Sequence, residues 1–427
     1  MEVCIPVLET IRADVAVIGG GTAGCFAALA AARAGANTVL VEKSGILGGT
    51  MTLCGVDFPG LFHAWGKQII AGLGWESIER AKSLGGATFP SFAYDRETYR
   101  PSQHWKQQVR LDRTIYAKVL DVMCEEACIR TMLHTMFIHA SQTDDGVEIL
   151  LGCKEGVRRV LARCAVDATG DANLVAKLGY AVESSDRLQP ATLQNKLSGY
   201  DPETVDYEAL KDFVKEAIAR DILPPGITEK KIVHWVKIQK IDNHIPCPHD
   251  AWESAGKSRV EAEARRHLVL TVQALREFPG LRSLFIQSAA SECGIHETNR
   301  IVGEYTVTAD DYVSGKRFDD AICYAFYPID LHVQSGIDQV FLKEGVVPTI
   351  PYRALIPKGS RHVLAAGRIL SSDTMANSAL RVQAPCMATG QAAGCAAAIA
   401  AKLSCSVQEV THERLCTELE AQGVILP

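Results

Sequence analysis

Three glycines near the start of the chain have the spacing that phosphate binding requires. Gly19, Gly21 and Gly24 fit the pattern G-x-G-x-x-G directly after an apolar run. In such a turn the first glycine allows the tight bend, the second lets the backbone approach a pyrophosphate, and the third lets the following helix pack on the strand. The unpaired N–H groups at the start of that helix attract phosphate oxygens. The motif therefore predicts a dinucleotide site.

An acidic residue at a suitable distance extends this site. Glu42 lies 18 residues after Gly24, where a carboxylate can accept hydrogen bonds from both hydroxyls of a ribose. A lone G-x-G-x-x-G also occurs by chance in glycine-rich loops, but here the glycines and the acid fall within about 30 residues, as the fingerprint requires. The alternative, a strand–helix–strand unit without a ligand, has no need of the acid or of all three glycines.

The elements that position these residues can be read from the same stretch. The apolar, β-branched run 14–18 predicts a strand, the alanine-rich stretch 22–33 predicts a helix that Gly35 ends, and residues 38–41 begin a second strand. The order strand, helix, strand puts the glycine turn at the start of the helix. It puts Glu42 at the end of the second strand, next to the turn.

A second pair of glycines separates two kinds of dinucleotide. Gly48 and Gly49 follow Glu42 after five intervening residues. Such a doublet lets the chain run close to FAD, and a plain NAD domain has no need of it. With these residues the sequence resembles the FAD-dependent oxidoreductase family, in the two-dinucleotide-binding flavoprotein group related to fumarate-reductase-type flavoproteins.

Later segments strengthen the resemblance and extend it over nearly the whole chain. One departure is His296, where the family often has arginine, so an anion-binding role at that position is in doubt. The segments that resemble the family are residues 167–171, 300–311, 327–332, 351–357, 363–368, 378–382 and 390–394.

The resemblance implies a mixed α/β fold. Its first part is a Rossmann-like FAD-binding domain of the glutathione-reductase type, and its second is a discontinuous mixed α/β substrate domain that forms a lid over the flavin. We expect residues 1–51, 154–185 and 355–427 to form the FAD-binding domain, and residues 52–153 and 186–354 to form the substrate domain. Only one complete G-x-G-x-x-G is present, so a separate NAD(P)H domain is not expected.

Local patterns predict further elements. We expect strands over residues 133–140 and 157–166 and a half-exposed strand over residues 231–241, where apolar and polar residues alternate. Residues 258–278 have helical periodicity. An alanine-rich helix is predicted with Pro385 at its first position, and its N-terminus would stabilise the negative N1–O2 edge of a reduced flavin.

The resemblance also implies which residues contact FAD. They come from the glycine turn, the ribose acid, the glycine doublet, residues 167–171, which we call the middle segment, and the C-terminal stretch from residue 351 onward. One aromatic residue would touch the adenine or else belong to the core. These residues are Gly19, Gly21, Thr22, Ala23, Gly24, Glu42, Lys43, Gly48, Gly49, Thr50, Phe137, Ala168, Thr169, Gly170, Asp171, Gly367, Arg368 and Arg381.

Candidates for catalysis come from the substrate side. A histidine or tyrosine could take a hydroxyl proton, and an arginine could clamp a carboxylate through two hydrogen bonds. Each has a structural alternative: a hydrogen-bonding loop histidine, a segment that shapes the interdomain junction, or an arginine paired with an internal acid such as Glu304. The candidates are His63, Arg300, Tyr327, His332 and Arg353.

A cysteine follows the glycine doublet closely enough to reach a flavin. Cys54 could attach the ring covalently, although buried cysteines usually act as small hydrophobic residues. Disulfide reductases carry two cysteines at this place, and here only Cys54 follows. A dithiol relay is therefore not expected.

Composition limits the partners and the setting. Lys plus Arg is 44 and Asp plus Glu is 50, a net charge of −6, without a long basic run, which argues against a nucleic-acid or polybasic membrane binder. The 14 cysteines contain no C-x-x-C pair, so no metal site is expected. With no secretory pattern and no apolar run long enough to span a bilayer, free thiols in the cytoplasm are the expectation.

Two classes of function follow. The first is an FAD-dependent oxidoreductase that moves a hydride between flavin N5 and a small polar metabolite, hydroxylated or carboxylated, and passes electrons to an unknown acceptor. A flavin monooxygenase is an alternative, but no clear Asp-Gly signature of the aromatic hydroxylases is found. The other class is a non-catalytic escort protein on the same fold, which would have no reason to keep all the glycines and the acid. Oligomeric state is left open.

Overall fold

A computed structural model describes residues 5–90, 104, 106–333 and 336–427 of the chain. Its strands, in chain order, are β1 (Val7–Ile18), β2 (Thr38–Val41), β3 (His63–Ala64), β4 (Lys67–Gln68), β5 (Ala87–Thr88), β6 (Arg110–Leu111), β7 (Arg130–Met132), β8 (Met136–Thr143), β9 (Gly146–Cys153), β10 (Gly156–Asp167), β11 (Val182–Ser184), β12 (Ala191–Ser198), β13 (Lys240–Ile245), β14 (Phe285–Ala289), β15 (Asn299–Ile301), β16 (Ala321–Tyr324), β17 (Ile329–Val333), β18 (Gly336–Val340), β19 (Thr349–Pro351) and β20 (Val363–Ala365).

Helices cover the faces of the sheets that these strands form. They are α1 (Thr22–Arg33), α2 (Gly72–Ser83), α3 (Arg113–Glu126), α4 (Asn173–Lys177), α5 (Tyr207–Ala219), α6 (Glu229–Ile238), α7 (Ser254–Arg276), α8 (Ala309–Ser314), α9 (Thr374–Leu380), α10 (Gln383–Leu403) and α11 (His412–Ala421). The mixed α/β fold expected from the sequence is confirmed.

One sheet carries the predicted dinucleotide site. Its order is β7-β2-β1-β10-β9-β8, with β20 next to the C-terminal end of β10. β7, β2, β1, β10 and β20 run parallel. β9 pairs antiparallel with β10, and β8 pairs antiparallel with β9. Because Ile18 pairs with Val41 and Asp167 with Ala365, the residues after these strands meet at one edge. Ligands of open α/β sheets bind at this carboxyl edge.

Helices α1 and α10 pack against each other with almost no side chain between them. A Cβ added at Gly390 would lie 2.2 Å from the Ala23 carbonyl oxygen, and one added at Gly394 would lie 2.0 Å from that of Ala27. Glycines four residues apart lie on one helix face, so the two backbones can touch. Close packing therefore explains these two glycines, and it holds the start of α1 firmly against the sheet.

A second, smaller sheet covers the carboxyl edge. β13, β12 and β14 are antiparallel, and one face of this sheet packs on α5, α6 and α7 to form a separate apolar core with members such as Leu193, Ile241 and Trp235. The opposite face points toward the segment after the glycine doublet. There a Cβ added at Gly55 would lie 3.5 Å from the Gln194 Cβ.

Three local predictions need correction. Residues 231–241 form the end of helix α6 and the start of β13, not one strand. Buried Ile232, Trp235 and Val236 have helical i, i+3, i+4 spacing, and the Thr228 side chain caps the helix by accepting a hydrogen bond from the Lys231 N–H. The short alternation of polar and apolar residues was misleading because both periods fit a window of this length.

The other two differences concern element boundaries. The strand predicted over residues 133–140 is β8 and begins three residues later, at Met136. Helix α10 begins at Gln383, so Pro385 is its third residue and not its first. The predictions of α1, β2, β10, β20 and the body of α7 are confirmed.

The division into two domains stays a prediction. Hydrogen bonding shows that β7, β8 and β9, over residues 130–153, belong to the same sheet as β1. We had expected these residues in the substrate domain. A strand joins whichever open edge its backbone N–H and C=O groups can pair with, and the sequence pattern does not show which edge that is.

Candidate active site

A cavity of about 680 Å³ lies at the carboxyl edge of the central sheet. All the predicted FAD contacts except Gly24 and Gly48 line it. Twenty residues beyond the predicted FAD contacts also line it. Eight of them lie in residues 251–257 and 291–295, which we call the covering segment. The twenty are Val41, Leu53, Cys54, Thr135, Met136, Ile138, Asn173, Ala176, Lys177, Ala251, Trp252, Glu253, Ser254, Lys257, Glu292, Cys293, Ile295, Ala366, Gln383 and Cys386.

The glycines of the turn have different roles. Gly19 has φ +103°, and a Cβ there would lie 2.4 Å from the Ala168 carbonyl oxygen. A Cβ at Gly24 would lie 1.7 Å from the Gly19 carbonyl oxygen, so this glycine is required by packing. Gly21 differs, because the nearest atom to an added Cβ is the Gly49 Cα at 3.9 Å. Gly21 lines the cavity, so the absence of a side chain there leaves the backbone open to a ligand.

The start of α1 is open toward the cavity. Its N-cap residue, Gly21, has no side chain to accept from the first turn, so the N–H groups of that turn have no partner within the helix. Thr22 and Ala23 line the cavity beside them. The arrangement suits a phosphate group, which needs several N–H donors and a positive helix end.

Glu42 is buried at the end of β2, next to the turn. One carboxylate oxygen accepts from the Gly20 N–H at 2.7 Å, and the other accepts from the Ser44 N–H at 2.8 Å. The acid therefore fixes the loop on each side of itself, and it retains lone pairs for ligand hydroxyls on the cavity side. The predicted ribose acid lies where the fingerprint requires it.

The middle segment is fixed by one aspartate and one arginine. Asp167, fully buried at the end of β10, accepts hydrogen bonds from the Thr169 and Val175 N–H groups. Arg368 forms an ion pair with Asp171 at 2.8 Å and donates to the Gly170 and Ile295 carbonyl oxygens. Arg368 thus joins β20, the middle segment and the covering segment, which its place in the sequence did not show.

The start of α10 offers fewer donors than expected. The Ala384 N–H already donates to the Pro59 carbonyl oxygen at 2.7 Å, and Pro385 has no N–H. Of the first three helix positions, only Gln383 keeps an N–H for a ligand. Its side chain meanwhile joins the two ends of the chain, since the Thr22 hydroxyl donates to Gln383 Oε1 at 2.8 Å.

The covering segment closes one wall of the cavity through polar contacts. The N–H groups of Ser291 and Glu292 lie 3.0 and 3.4 Å from the Leu53 carbonyl oxygen. The Glu292 carboxylate pairs with Lys43 at 3.1 Å and lies 3.9 Å from Lys257. Burial alone would lower the pKa of Lys43, but Glu292 raises it above its usual value.

Comparison with known proteins identifies the family. The model of the family described as FAD dependent oxidoreductase matches residues 14–419. The chain belongs to the FAD-dependent oxidoreductase family. This confirms the predicted family and FAD as the cofactor.

Two curated proteins match parts of this FAD-dependent oxidoreductase. Digeranylgeranylglycerophospholipid reductase 1 of Methanosphaera stadtmanae is 28% identical over 172 residues, which are 39% of this chain and 40% of that protein. Urocanate reductase of Eggerthella lenta is 56% identical over 46 residues, 11% of this chain and 8% of that protein. The chain thus matches less than half the length of either curated relative.

Two solved structures extend over nearly the whole FAD-dependent oxidoreductase. A geranylgeranyl bacteriochlorophyll reductase-like protein from Thermoplasma acidophilum has a TM-score of 0.44 at 13% identity and covers 96% of this chain and 83% of its own. The p-nitrophenol 4-monooxygenase of Pseudomonas putida has a TM-score of 0.45 at 12% identity, covering 96% and 84%.

The residues present in this FAD-dependent oxidoreductase fit an FAD molecule. The turn and α1 would hold the pyrophosphate, Glu42 would hold the ribose, and Met136, Phe137 and Ile138 would contact the adenine; all of these parts line the cavity. Arg381 and Gln383 line the wall formed at the start of α10. Within the described residues, none of the helices combines the length and the apolar surface that a membrane span needs.

The cysteines along the cavity are poor nucleophiles. Burial raises the pKa of Cys54 to about 11 and that of Cys386 to about 12. Both thiols therefore stay protonated at neutral pH, and the thiolate is the reactive form. This argues against attack by Cys54 on a flavin ring.

None of the five candidates for catalysis lines the cavity. Arg353 is half exposed and makes a two-point contact with Asp320, and Arg300 is buried beside Glu297, 3.4 Å away. Each arginine thus forms an ion pair with an acidic residue of the same chain, but in neither case is that residue Glu304. Neither guanidinium is available as a carboxylate clamp in this arrangement.

His63 also lies apart from the cavity. It is buried in β3 with its ring 5.5 Å from that of Trp75, and burial lowers its pKa to about 4. His63 is thus neither a surface nor a loop histidine, and its ring packs against Trp75.

Tyr327 and His332 lie near Arg381 but outside the cavity lining. The Tyr327 hydroxyl is 3.1 Å from Gln108 Nε2. His332 Nε2 is 3.2 Å from the Asp330 carboxylate, and Arg381 donates to the Asp330 carbonyl oxygen at 3.2 Å. In the parts of the chain that the structure describes, no three His, Cys, Asp or Glu side chains are grouped so as to hold a metal ion.

Proposed function

We propose that the protein moves a hydride between N5 of bound FAD and a small polar metabolite that carries hydroxyl or carboxyl groups. The observation that carries this proposal is the position of Arg381. Its side chain lines the FAD cavity, and it also contacts a buried polar group through Gln189 and Asp330. A polar substrate bound there would lie next to the cofactor.

The residues of the chain divide the work. The turn, Glu42 and the Arg368 contacts hold the cofactor, which supplies a hydride acceptor or donor at N5 when it is bound. The covering segment, whose Ser291 and Glu292 N–H groups contact the Leu53 carbonyl oxygen, excludes water from one side of the cavity. The group around Arg381 orients the substrate, and positioning of this kind is a large part of catalysis.

The electron acceptor and the setting remain predictions. A single G-x-G-x-x-G supports reoxidation by oxygen, a quinone or a partner protein in place of a bound nicotinamide. The cytoplasmic location predicted from the free cysteines remains a prediction as well.

An absorption spectrum and anaerobic bleaching test the proposal. Purified protein is expected to show flavin bands, and these are expected to bleach when a member of a panel of polyols, sugars, hydroxy acids and amines is added without oxygen. A protein without flavin bands, even after addition of FAD, would favour the escort function. A bound flavin that dithionite reduces but no panel member bleaches would contradict hydride transfer from these metabolites to FAD, and reoxidation of the reduced flavin by unsaturated acids would then test the opposite direction.

A further inference from the structure

Three histidines from distant parts of the chain lie together next to Arg381. His296, which precedes β15, and His332, on β17, stack with ring centres 4.2 Å apart and planes at 17°. His244, on β13, meets His332 edge to face at 5.2 Å. His296 Nδ1 lies 2.6 Å from the Pro190 carbonyl oxygen. We call His244, His296 and His332 the histidine cluster.

Asp330 fixes the tautomer of His332. Its carboxylate is 3.2 Å from His332 Nε2 and also accepts from Gln339 at 2.9 Å. Burial alone would raise the pKa of Asp330, but His332 and Arg381 lower it below its usual value, so it is an acceptor and His332 Nε2 carries the hydrogen. His332 Nδ1 is then a bare acceptor, and it is buried without a partner.

The other two rings are uncharged at neutral pH. Burial, and then the neighbouring histidines, lower the pKa of His244 to about 3 and that of His296 well below its usual value. Charged groups face the cluster from two other elements: Lys231 of α6 acts on His244, and Arg381, after α9, acts on His296. Lys231 and Arg381 thus both disfavour a positive charge on the ring that each of them faces.

The charges around the cluster are already balanced. The negative charge of Asp330 acts on Arg381, that of Asp242 acts on Lys231, and Arg300 lies beside Glu297. A substrate carboxylate would therefore find no unmatched cation here, and burying an unmatched charge is costly. The geometry favours an uncharged ligand.

The unpartnered atoms of this group are of both kinds. Arg381 Nε and Gln189 Nε2 are donors without an acceptor, and His332 Nδ1 and His244 Nδ1 also lack partners. The orientation of the Gln189 side-chain amide is set, because its oxygen accepts from the backbone N–H of His332 at 3.0 Å and from the Arg381 guanidinium at 3.2 Å. A hydroxyl group both donates and accepts, so neighbouring hydroxyls on one ligand would satisfy both kinds of atom.

We propose that the substrate is a neutral polyhydroxylated alcohol and that His332 Nδ1 is the base that takes its hydroxyl proton. This inference rests on the proposed function and makes it more specific. The substrate H–C–O–H unit becomes C=O: the hydroxyl proton goes to His332, and the carbon-bound hydrogen leaves with its electron pair to oxidised FAD. Asp330 and His296 are positioning residues, one holding the ring through Nε2 and the other through stacking.

Replacement of His332 tests the base directly. His332→Gln is expected to bind FAD and to be reduced by dithionite as the wild type is, while anaerobic bleaching by myo-inositol, sorbitol or D-glucose slows by about 10²–10⁴-fold, the usual contribution of a general base. His234→Gln, which removes an exposed histidine of α6, is the control and should bleach at the wild-type rate. Unchanged bleaching of His332→Gln would overturn the proposal.

Two further measurements separate this inference from the proposed function. Nitrogen NMR of labelled histidines, with His332→Gln to assign the signal, should show His332 neutral with its hydrogen on Nε2; a hydrogen on Nδ1 would overturn the proposal. In the wild type, bleaching by amines alone, or by none of the neutral alcohols, would also overturn it while the flavin chemistry stands. Absence of bound flavin contradicts the proposed function itself.

Discussion

At the scale of single residues, the glycines of the turn separate what the fold needs from what the cofactor needs. An added Cβ at Gly24 would overlap the protein backbone, whereas one at Gly21 would meet only the Gly49 Cα, at an ordinary contact distance of 3.9 Å. Both positions fit the same motif, and only the three-dimensional surroundings tell them apart.

Alanine substitutions should therefore have opposite signatures. We expect Gly24→Ala to lower the free energy of unfolding of the FAD-free protein by about 1–3 kcal/mol or more, through overpacking. We expect Gly21→Ala to change it by less than about 1 kcal/mol but to weaken FAD binding strongly, because the methyl group takes the place of a phosphate. Urea denaturation and FAD titration measure the two effects. Equal loss of stability in both variants would contradict this assignment.

The ribose acid supports the loop as well as the ligand. Glu42→Gln keeps one acceptor oxygen for two N–H donors, those of Gly20 and Ser44, and should cost about 1–3 kcal/mol of unfolding free energy and weaken FAD binding. Glu304→Gln is the control, since Glu304 is exposed and accepts the Gly359 N–H at 2.7 Å. A Glu42 variant that keeps wild-type stability and FAD affinity would show that the carboxylate is dispensable.

A buried neutral histidine makes stability depend on pH. Burial holds the pKa of His63 at about 4, below its usual value of 6.5, so between these two values the unfolded chain binds a proton that the folded chain does not. The unfolding free energy should fall as pH drops from about 7 toward 4, and His63→Gln should make the slope shallower by up to about 1.4 kcal/mol per pH unit.

Urea denaturation at several pH values measures this slope. His139→Gln, at an exposed position on β8, should leave it as in the wild type, because solvent surrounds that ring before and after unfolding. An unaltered slope in His63→Gln would mean that folding does not change the pKa of His63.

At the scale of elements, the contact between α1 and α10 fixes the phosphate-binding end. Gly394→Ala would bring its Cβ to 2.0 Å from the Ala27 carbonyl oxygen and should lower the unfolding free energy by at least about 1–3 kcal/mol. Lys402→Ala, at an exposed position of the same helix, should stay within about 0.5 kcal/mol. Thermal denaturation compares them. If both variants behave alike, the helices have room that the structure does not show.

Elements next to glycines were predicted more accurately than the one inferred from alternation alone. In the strand–helix–strand unit at residues 14–41, the bounds of α1 and β2 are correct, because Gly19 follows the end of β1 and Gly35 follows the end of α1. Residues 231–241 were assigned to a strand and form a helix followed by the start of a strand. A window of this length fits both periods, and packing of Trp235 into the smaller core decides between them.

At the scale of the whole molecule, the cavity is closed by contacts between segments far apart in sequence. Lys43 and Glu292 form an ion pair across one wall, and both side chains are partly exposed. Pairs of this kind contribute about 0–1 kcal/mol and weaken in salt. The backbone contacts at Leu53 remain when the pair is removed.

Glu292→Gln should therefore speed FAD release only moderately. We expect at most about a fivefold increase at low salt, the equivalent of about 1 kcal/mol, and a smaller difference from the wild type at high salt. Stopped-flow recording of flavin fluorescence after dilution measures the rate. A much larger increase, or one that salt leaves unchanged, would show that Glu292 acts through more than this ion pair.

The sequence by itself determined the cofactor end of the protein. Gly19, Gly21, Gly24 and Glu42 belong to one strand–helix–strand unit and act through its backbone geometry and hydrogen bonds, so their spacing carries their role. The family, the fold class and FAD follow from this local information.

Only the tertiary structure decided the substrate end. His244, His296, His332 and Arg381 come from four separate segments, and no spacing in the chain relates them. The same holds for Arg300 and Arg353, because the sequence did not show which acidic residue each of them pairs with. Burial and charge depend on every segment packed around a side chain, and that arrangement exists only after the chain has folded.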